Sequence, residues 1–72
     1  MQTVDLRGVP CPTNFVKAKL SIGMADIGDI IVFHLDEGEP VQNVSRSLQN
    51  EGHQLLDLEK AEGHYVLRMK VV

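Results

Sequence analysis

Apolar and polar residues alternate over residues 2–6, with Val4 and Leu6 on one side and Thr3 and Asp5 on the other, which predicts a first strand. Gly8 and Pro10 end it in a turn. Residues 15–24 then change period: Phe15, Val16, Ala18, Leu20 and Ile22 make most of one side apolar, while Lys17 and Lys19 read as a solvated face. This predicts a helix, closed by Gly23 or by the turn at residues 26–28. Residues 29–36 supply Ile30, Ile31, Val32, Phe33 and Leu35 almost without a break, the pattern of a central strand covered on much of both faces. Pro40, with acidic neighbours, opens a second helix whose Val41, Val44 and Leu48 share one stripe, and Gly52 takes its C-terminal glycine position. A third strand is predicted at residues 53–59, with Leu56 and Leu58 pointing one way and Leu55, Asp57 and Glu59 the other. After a turn at residues 60–63, Tyr65, Leu67, Met69 and Val71 alternate with Val66, Arg68, Lys70 and Val72 in a fourth strand, antiparallel to the third.

The order strand, helix, strand, helix, strand, strand, with one strongly apolar face per helix, predicts an α/β (α+β) two-layer sandwich. Both helices pack on one face of a four-stranded mixed sheet. The other face stays open, carrying Ile30, Val32, Leu55 and Val66 beside Thr3, Asp5, His34 and Arg68. Seventy-two residues make one small domain, residues 1–72, without repeats or linkers.

Ten acidic against seven basic residues give a net charge of -3, and only three residues are aromatic, a balance that argues against nucleic-acid binding. The single cysteine excludes an internal disulfide and a four-cysteine zinc cluster, and it suits a reducing compartment. With no basic-then-apolar leader and no apolar run near the ~20 residues that span a bilayer, the expected location is the cytoplasm and no membrane partner is expected.

Cys11 stands where the first strand's turn meets the first long helix. Proline is favoured at the first helical position, so Pro12 makes Cys11 the expected N-cap, its thiol facing free backbone N–H groups at the positive end of the helix dipole. The thiolate is the nucleophile, and such a position favours it. Lowering a thiol from pKa ~8.5 to about 7 raises the ionised fraction at neutral pH from a few per cent to roughly half, a differential stabilisation of about 2 kcal/mol. Arg7 adds positive charge nearby or holds the turn through Asp5, and Gly8 permits the bend. His34, His53 and His64 match no common zinc spacing with Cys11, so neither a metal site nor a bound cofactor is expected. The carboxylate pairs Asp36-Glu37 and Glu59-Glu62 fall in turns and read as surface solvation.

With Asp5, Arg7, Gly8, Cys11 and Pro12 in place, the chain resembles the TusA/SirA-like family of small sulfur carriers, whose motif is Asp-x-Arg-Gly-x-x-Cys-Pro-x-Pro. The resemblance continues through Gly28-Asp29, Glu39-Pro40, Gly52-His53 and the closing hairpin, nearly the whole chain. One position departs from it: the family's second proline is Asn14, expected at the third helical position with its amide able to hydrogen-bond near the cysteine. That change bears on loop rigidity and partner choice more than on thiol chemistry.

The resemblance implies a sulfurtransferase-type carrier in which Cys11 holds a persulfide. Its partners would be a sulfur-donor protein, a cysteine desulfurase or rhodanese, and a sulfur-acceptor protein. The alternative from the residues alone is a thiol-based redox switch or regulatory interaction domain, since both chemistries begin with the same thiolate.

Overall fold

The computed structural model describes residues 2–10 and 12–72; Met1 and Cys11 lie outside the described residues. Strands β1 (Gln2–Asp5), β2 (Ile30–Asp36), β3 (Gln54–Ala61) and β4 (His64–Lys70) form one sheet in the order β1-β2-β4-β3, with helices α1 (Thr13–Gly23) and α2 (Glu39–Asn50) between them in sequence. β1 runs parallel to β2, while β4 is antiparallel to both β2 and β3. The α+β sandwich with a mixed sheet is therefore the fold observed.

β2 lies between two hydrogen-bonded neighbours, and Ile31, Phe33 and Leu35 on its inner face are completely buried. They meet Leu67 and Met69 from β4, Val44 and Leu48 from α2, and Ala18 and Ile22 from α1 in one apolar cluster. Truncating any such large aliphatic side chain removes its transfer free energy and leaves a cavity, a cost of about 2–5 kcal/mol. Val32, expected on the open face, is also buried.

α2 follows its apolar stripe closely, with Val41, Val44 and Leu48 buried and Pro40 in the first turn after an N-cap at Gly38. Past its C-cap at Glu51, Gly52 has a φ of 97°, which suits the left-handed conformation that closes helices, and its N–H bonds to Gln49 O. α1 departs from its predicted face. Its buried residues are Asn14, Ala18 and Ile22, four apart, whereas Val16, Leu20 and Met24 form a second four-apart row on the opposite side, 51%, 62% and 81% exposed. Apolar residues occupy two faces of this helix, and only the one carrying small Ala18 can approach the sheet.

The third strand departs from simple alternation as well. Leu55 pairs with Met69 and Asp57 with Arg68, so a β-bulge takes up Leu56. That extra residue turns Leu55 toward the core, where it packs against the main cluster, and puts Asp57 beside Arg68 on the open face. Leu55 therefore leaves the open-face set predicted from a strict period of two. Neither helix is long and apolar enough to cross a membrane.

Candidate functional site

β1 and β2 are parallel, so the loop leaving β1 and the end of β2 lie at the same edge of the sheet, the carboxyl end where α/β folds place their ligands. Residues 6–10 are tied down there by contacts to three parts of the chain. Leu6 N–H donates to His34 O at 2.8 Å, extending the β1–β2 pairing, and Val9 N–H returns to Leu6 O at 3.2 Å. Gly8 N–H donates to Asp36 Oδ2 at 2.7 Å, and Asn14 N–H donates to Pro10 O at 3.0 Å. Gly8 has φ 77°, a conformation costing an L side chain roughly 1–2 kcal/mol. A Cβ there would meet nothing within 4 Å, so the need for glycine is conformational and not steric.

Asp5 and Arg7 form a two-pronged pair: Arg7 Nε donates to Asp5 Oδ1 and an Arg7 terminal nitrogen to Asp5 Oδ2, each at 2.9 Å, with the Arg7 backbone N–H on Oδ1 at 3.1 Å. Both side chains are half exposed. The hydrogen bonds from the Arg7 side chain and then its backbone hold the Asp5 carboxyl well below the usual carboxylate range, and the same contact raises Arg7. The Arg7 charge is matched by Asp5, the last residue of β1, two residues before it.

The start of α1 differs from expectation by one residue. Pro12 is the N-cap and Thr13 the first helical residue, so Asn14 is second, not third. The expectation for Cys11 as N-cap concerns a residue outside those described. The amides following it are mostly engaged. Pro12 has no N–H, Asn14 N–H goes to Pro10 O, and Phe15 N–H goes to Asn14 Oδ1 at 2.7 Å. Only Thr13 N–H among the first-turn donors lacks a partner among the described residues. Among the described residues, the expected row of free amides is thus reduced to Thr13 N–H.

Asn14 itself is completely buried, and its Nδ2 has no hydrogen-bond partner among the described residues. Leaving such a donor unpaired costs about 1–3 kcal/mol. Its orientation is fixed, because only the carbonyl oxygen of the amide can accept from Phe15 N–H, and the NH2 end is therefore the one without a partner among the described residues.

Three residues outside the predicted set join this edge of the sheet. Asp36, read from sequence as surface solvation, is the acceptor for the loop's Gly8. Its place at the end of a long apolar strand was the only available signal. His34 and His64 meet with His34 Nδ1 3.2 Å from His64 Nε2. His64 Nδ1 lies 3.1 Å from Glu62 O, and a carbonyl only accepts, so His64 carries its proton on Nδ1 and offers Nε2 to a proton on His34 Nδ1. His53 stands apart, accepting from Val72 N–H. No cluster of three or more histidine, cysteine or acidic side chains suited to a metal occurs among the described residues. A shallow groove of about 280 Å³ between α2 and β3, lined by Val41, Arg46 and Leu58 among others, includes none of the loop residues.

This architecture and motif have counterparts in known proteins. A family model described as Sulfurtransferase TusA matches residues 2–71. An Archaeoglobus fulgidus protein named "Putative sulfur carrier protein" is 36% identical over 59 residues, covering 82% of this chain and 67% of its own. A Neisseria meningitidis serogroup A protein of the same description is 26% identical over 66 residues, covering 92% and 89% respectively. The crystal structure of a SirA-like protein from Desulfitobacterium hafniense superimposes with a TM-score of 0.82 at 25% identity, covering 97% of this chain and 96% of that one. With the family model matched from the second residue to the seventy-first, the chain belongs to the TusA sulfurtransferase family.

Proposed function

We propose that this chain is a sulfur carrier that relays sulfane sulfur as a persulfide on Cys11. The observation that carries this reading is the family match across residues 2–71, which spans the Asp5, Arg7, Gly8, Cys11 and Pro12 motif. The relatives' description as sulfur carriers supports it.

In the loading step the Cys11 thiolate attacks the outer sulfur of a persulfide on a donor protein of the cysteine desulfurase or rhodanese class. A new S–S bond forms to Cys11, the donor's own S–S bond breaks, and the donor cysteine leaves as its thiolate. In the unloading step an acceptor nucleophile takes the terminal sulfur, the Cys11 S–S bond breaks, and the Cys11 thiolate returns. Each step exchanges one bond to sulfur for another, and no outside oxidant or reductant enters. Cys11 is the chain's one cysteine, so no second thiol in this chain can intercept the persulfide as an internal disulfide.

In this reading Asp5, Arg7, Gly8 and Pro12 shape the loop: Asp5 and Arg7 brace each other, Gly8 makes the bend, and Pro12 caps α1. The exposed Val16, Leu20 and Met24 row begins five residues after Cys11 in sequence and offers partners an apolar contact surface.

Cyanolysis tests the reading. After incubation with a donor enzyme and its sulfur source, the chain should release about one equivalent of thiocyanate on treatment with cyanide, the reaction of a sulfane sulfur. A Cys11→Ser chain should release none. Oxidation of Cys11 to a sulfenate or mixed disulfide without thiocyanate release would favour the redox-switch chemistry instead.

A further inference from the structure

We propose that the groove between α2 and β3 is a docking site for an extended segment of a partner protein, one that carries an aliphatic side chain and, two residues along on the same face, a carboxylate. The groove shares no residue with the β1–α1 loop, so its occupancy can be tested independently of the sulfur chemistry.

The groove exists because α2 covers the sheet only in part. Leu58 on β3 pairs with Leu67 on β4, and both point to the helix side of the sheet. Leu67 is completely buried whereas Leu58 is 43% exposed, so α2 shields β4 and leaves the same face of β3 as an open floor. Val41 backs that floor, and Gln42, Ser45, Arg46 and Gln49, spaced three to four apart along α2, form the wall. Its volume of about 280 Å³ falls below the ~300–1,000 Å³ of small-molecule sites, and it is shallow, which suits side chains on a longer partner.

The strand order and the charge of the groove define the occupant. β3 is an edge strand, with β4 on one side and no strand on the other among the described residues. Beyond the bulge at Leu56, the backbone groups that residues 57–61 turn outward are a template for an added strand. Side chains of such a strand alternate between faces, so every second one lies over the groove. There Leu58 and Val41 offer apolar contact. Arg46 is the one charged residue among the described residues lining the groove, and it forms no salt bridge with any described residue. Its guanidinium selects a carboxylate.

A second copy of this chain fits poorly on the same edge. Residues directly opposite in an antiparallel pair point to the same face, so a two-fold β3–β3 pairing centred on Leu58 sets Asp57 against Glu59 twice. Moving the centre by one residue either way sets Asp57 against itself or Glu59 against itself. Arg68 is a single cation shared by both carboxylates, which leaves each copy with an unmatched negative charge at the contact.

Backbone-amide NMR of the full chain tests this with the end-capped peptide Thr-Leu-Thr-Glu-Thr-Leu, whose leucines and glutamate share one face, and with the same peptide carrying Lys in place of Glu. The glutamate peptide should shift the amides of residues 57–61, Arg46 and Gln49, with a Kd of about 1 mM. The lysine peptide should bind about fivefold more weakly, and Arg46→Glu, a change at an exposed position, should reverse that order. Equal binding of the two peptides, an unchanged order in Arg46→Glu, shifts confined to other surfaces, or no shifts at all would each overturn the proposal. So would shifts at residues 57–61 that grow with protein concentration in the absence of peptide, the mark of a second copy on this edge. Should Arg46→Glu fail to fold, as judged by circular dichroism, Arg46→Gln decides: loss of the difference between the two peptides supports the site, and its persistence ends it.

Discussion

Asp36, the last residue of β2, accepts the backbone N–H of Gly8 at 2.7 Å, joining the loop that precedes Cys11 to the end of the central strand. The bond spans 28 residues of sequence and is charge-assisted. Its removal in Asp36→Ala should cost about 1 kcal/mol of local stability, raising amide hydrogen exchange at Gly8 roughly fivefold. Asp36→Asn keeps an acceptor oxygen and should show a smaller increase. Equal exchange at Gly8 in all three chains would show that Asp36 does not hold the loop.

The Asp5 carboxyl is held below its usual value near 3.8 by the Arg7 side chain and backbone. A group whose pKa is depressed by folding stabilises the folded state above its unfolded value and loses that contribution as pH falls toward the folded one. The Asp5–Arg7 contact should therefore be intact at neutral pH and weaken progressively below about pH 4. Thermal denaturation of the wild type and Asp5→Asn should differ most above that pH and converge on acidification. A difference that widens toward low pH would contradict the assignment.

The architecture was legible in the sequence because β2, α2 and β4 each have one unambiguous period. Ile31, Phe33 and Leu35 on β2, Val41, Val44 and Leu48 on α2, and Leu67 and Met69 on β4 are all buried as their spacing implies. The misses come where two patterns overlap. α1 carries apolar residues on two faces, and composition cannot tell that the Ala18 face packs while Val16 and Leu20 face water. A bulge at Leu56 leaves no mark in a run of leucines, so strict alternation puts Leu55 on the wrong face. At the candidate site, Asp5, Arg7 and Gly8 were readable as a turn because they are neighbours. The Gly8–Asp36 and His34–His64 contacts depend on strand register and could not be read locally. The engagement of Phe15 N–H followed from side-chain orientation at Asn14, which sequence does not specify.

The two apolar rows of α1 should respond very differently to substitution. Leu20→Ser alters a side chain that is 62% exposed and should change stability by no more than about 0.5 kcal/mol. Ile22→Ala opens the core and should cost about 2–4 kcal/mol. Urea denaturation of both variants checks this, and comparable losses would mean that the row led by Leu20 packs against the fold.

His34 and His64 form one hydrogen-bonded unit across β2 and β4, with His64 oriented by Glu62 O. Replacing either by alanine removes the contact, so a double-mutant cycle should return a coupling of about 0.5–1.5 kcal/mol at neutral pH. Strictly additive effects would show that the two rings are merely adjacent.

The central claim is that one sulfur atom rides on Cys11. Intact-mass spectrometry after incubation with a cysteine desulfurase and cysteine reads it most directly, followed by peptide mapping of the adduct. The predicted result is a mass increase of one sulfur atom, located at Cys11, removed by reduction and absent from Cys11→Ser. A wild-type chain that gains no sulfur from a donor active on its own cysteine, or an adduct that persists in Cys11→Ser, would contradict it.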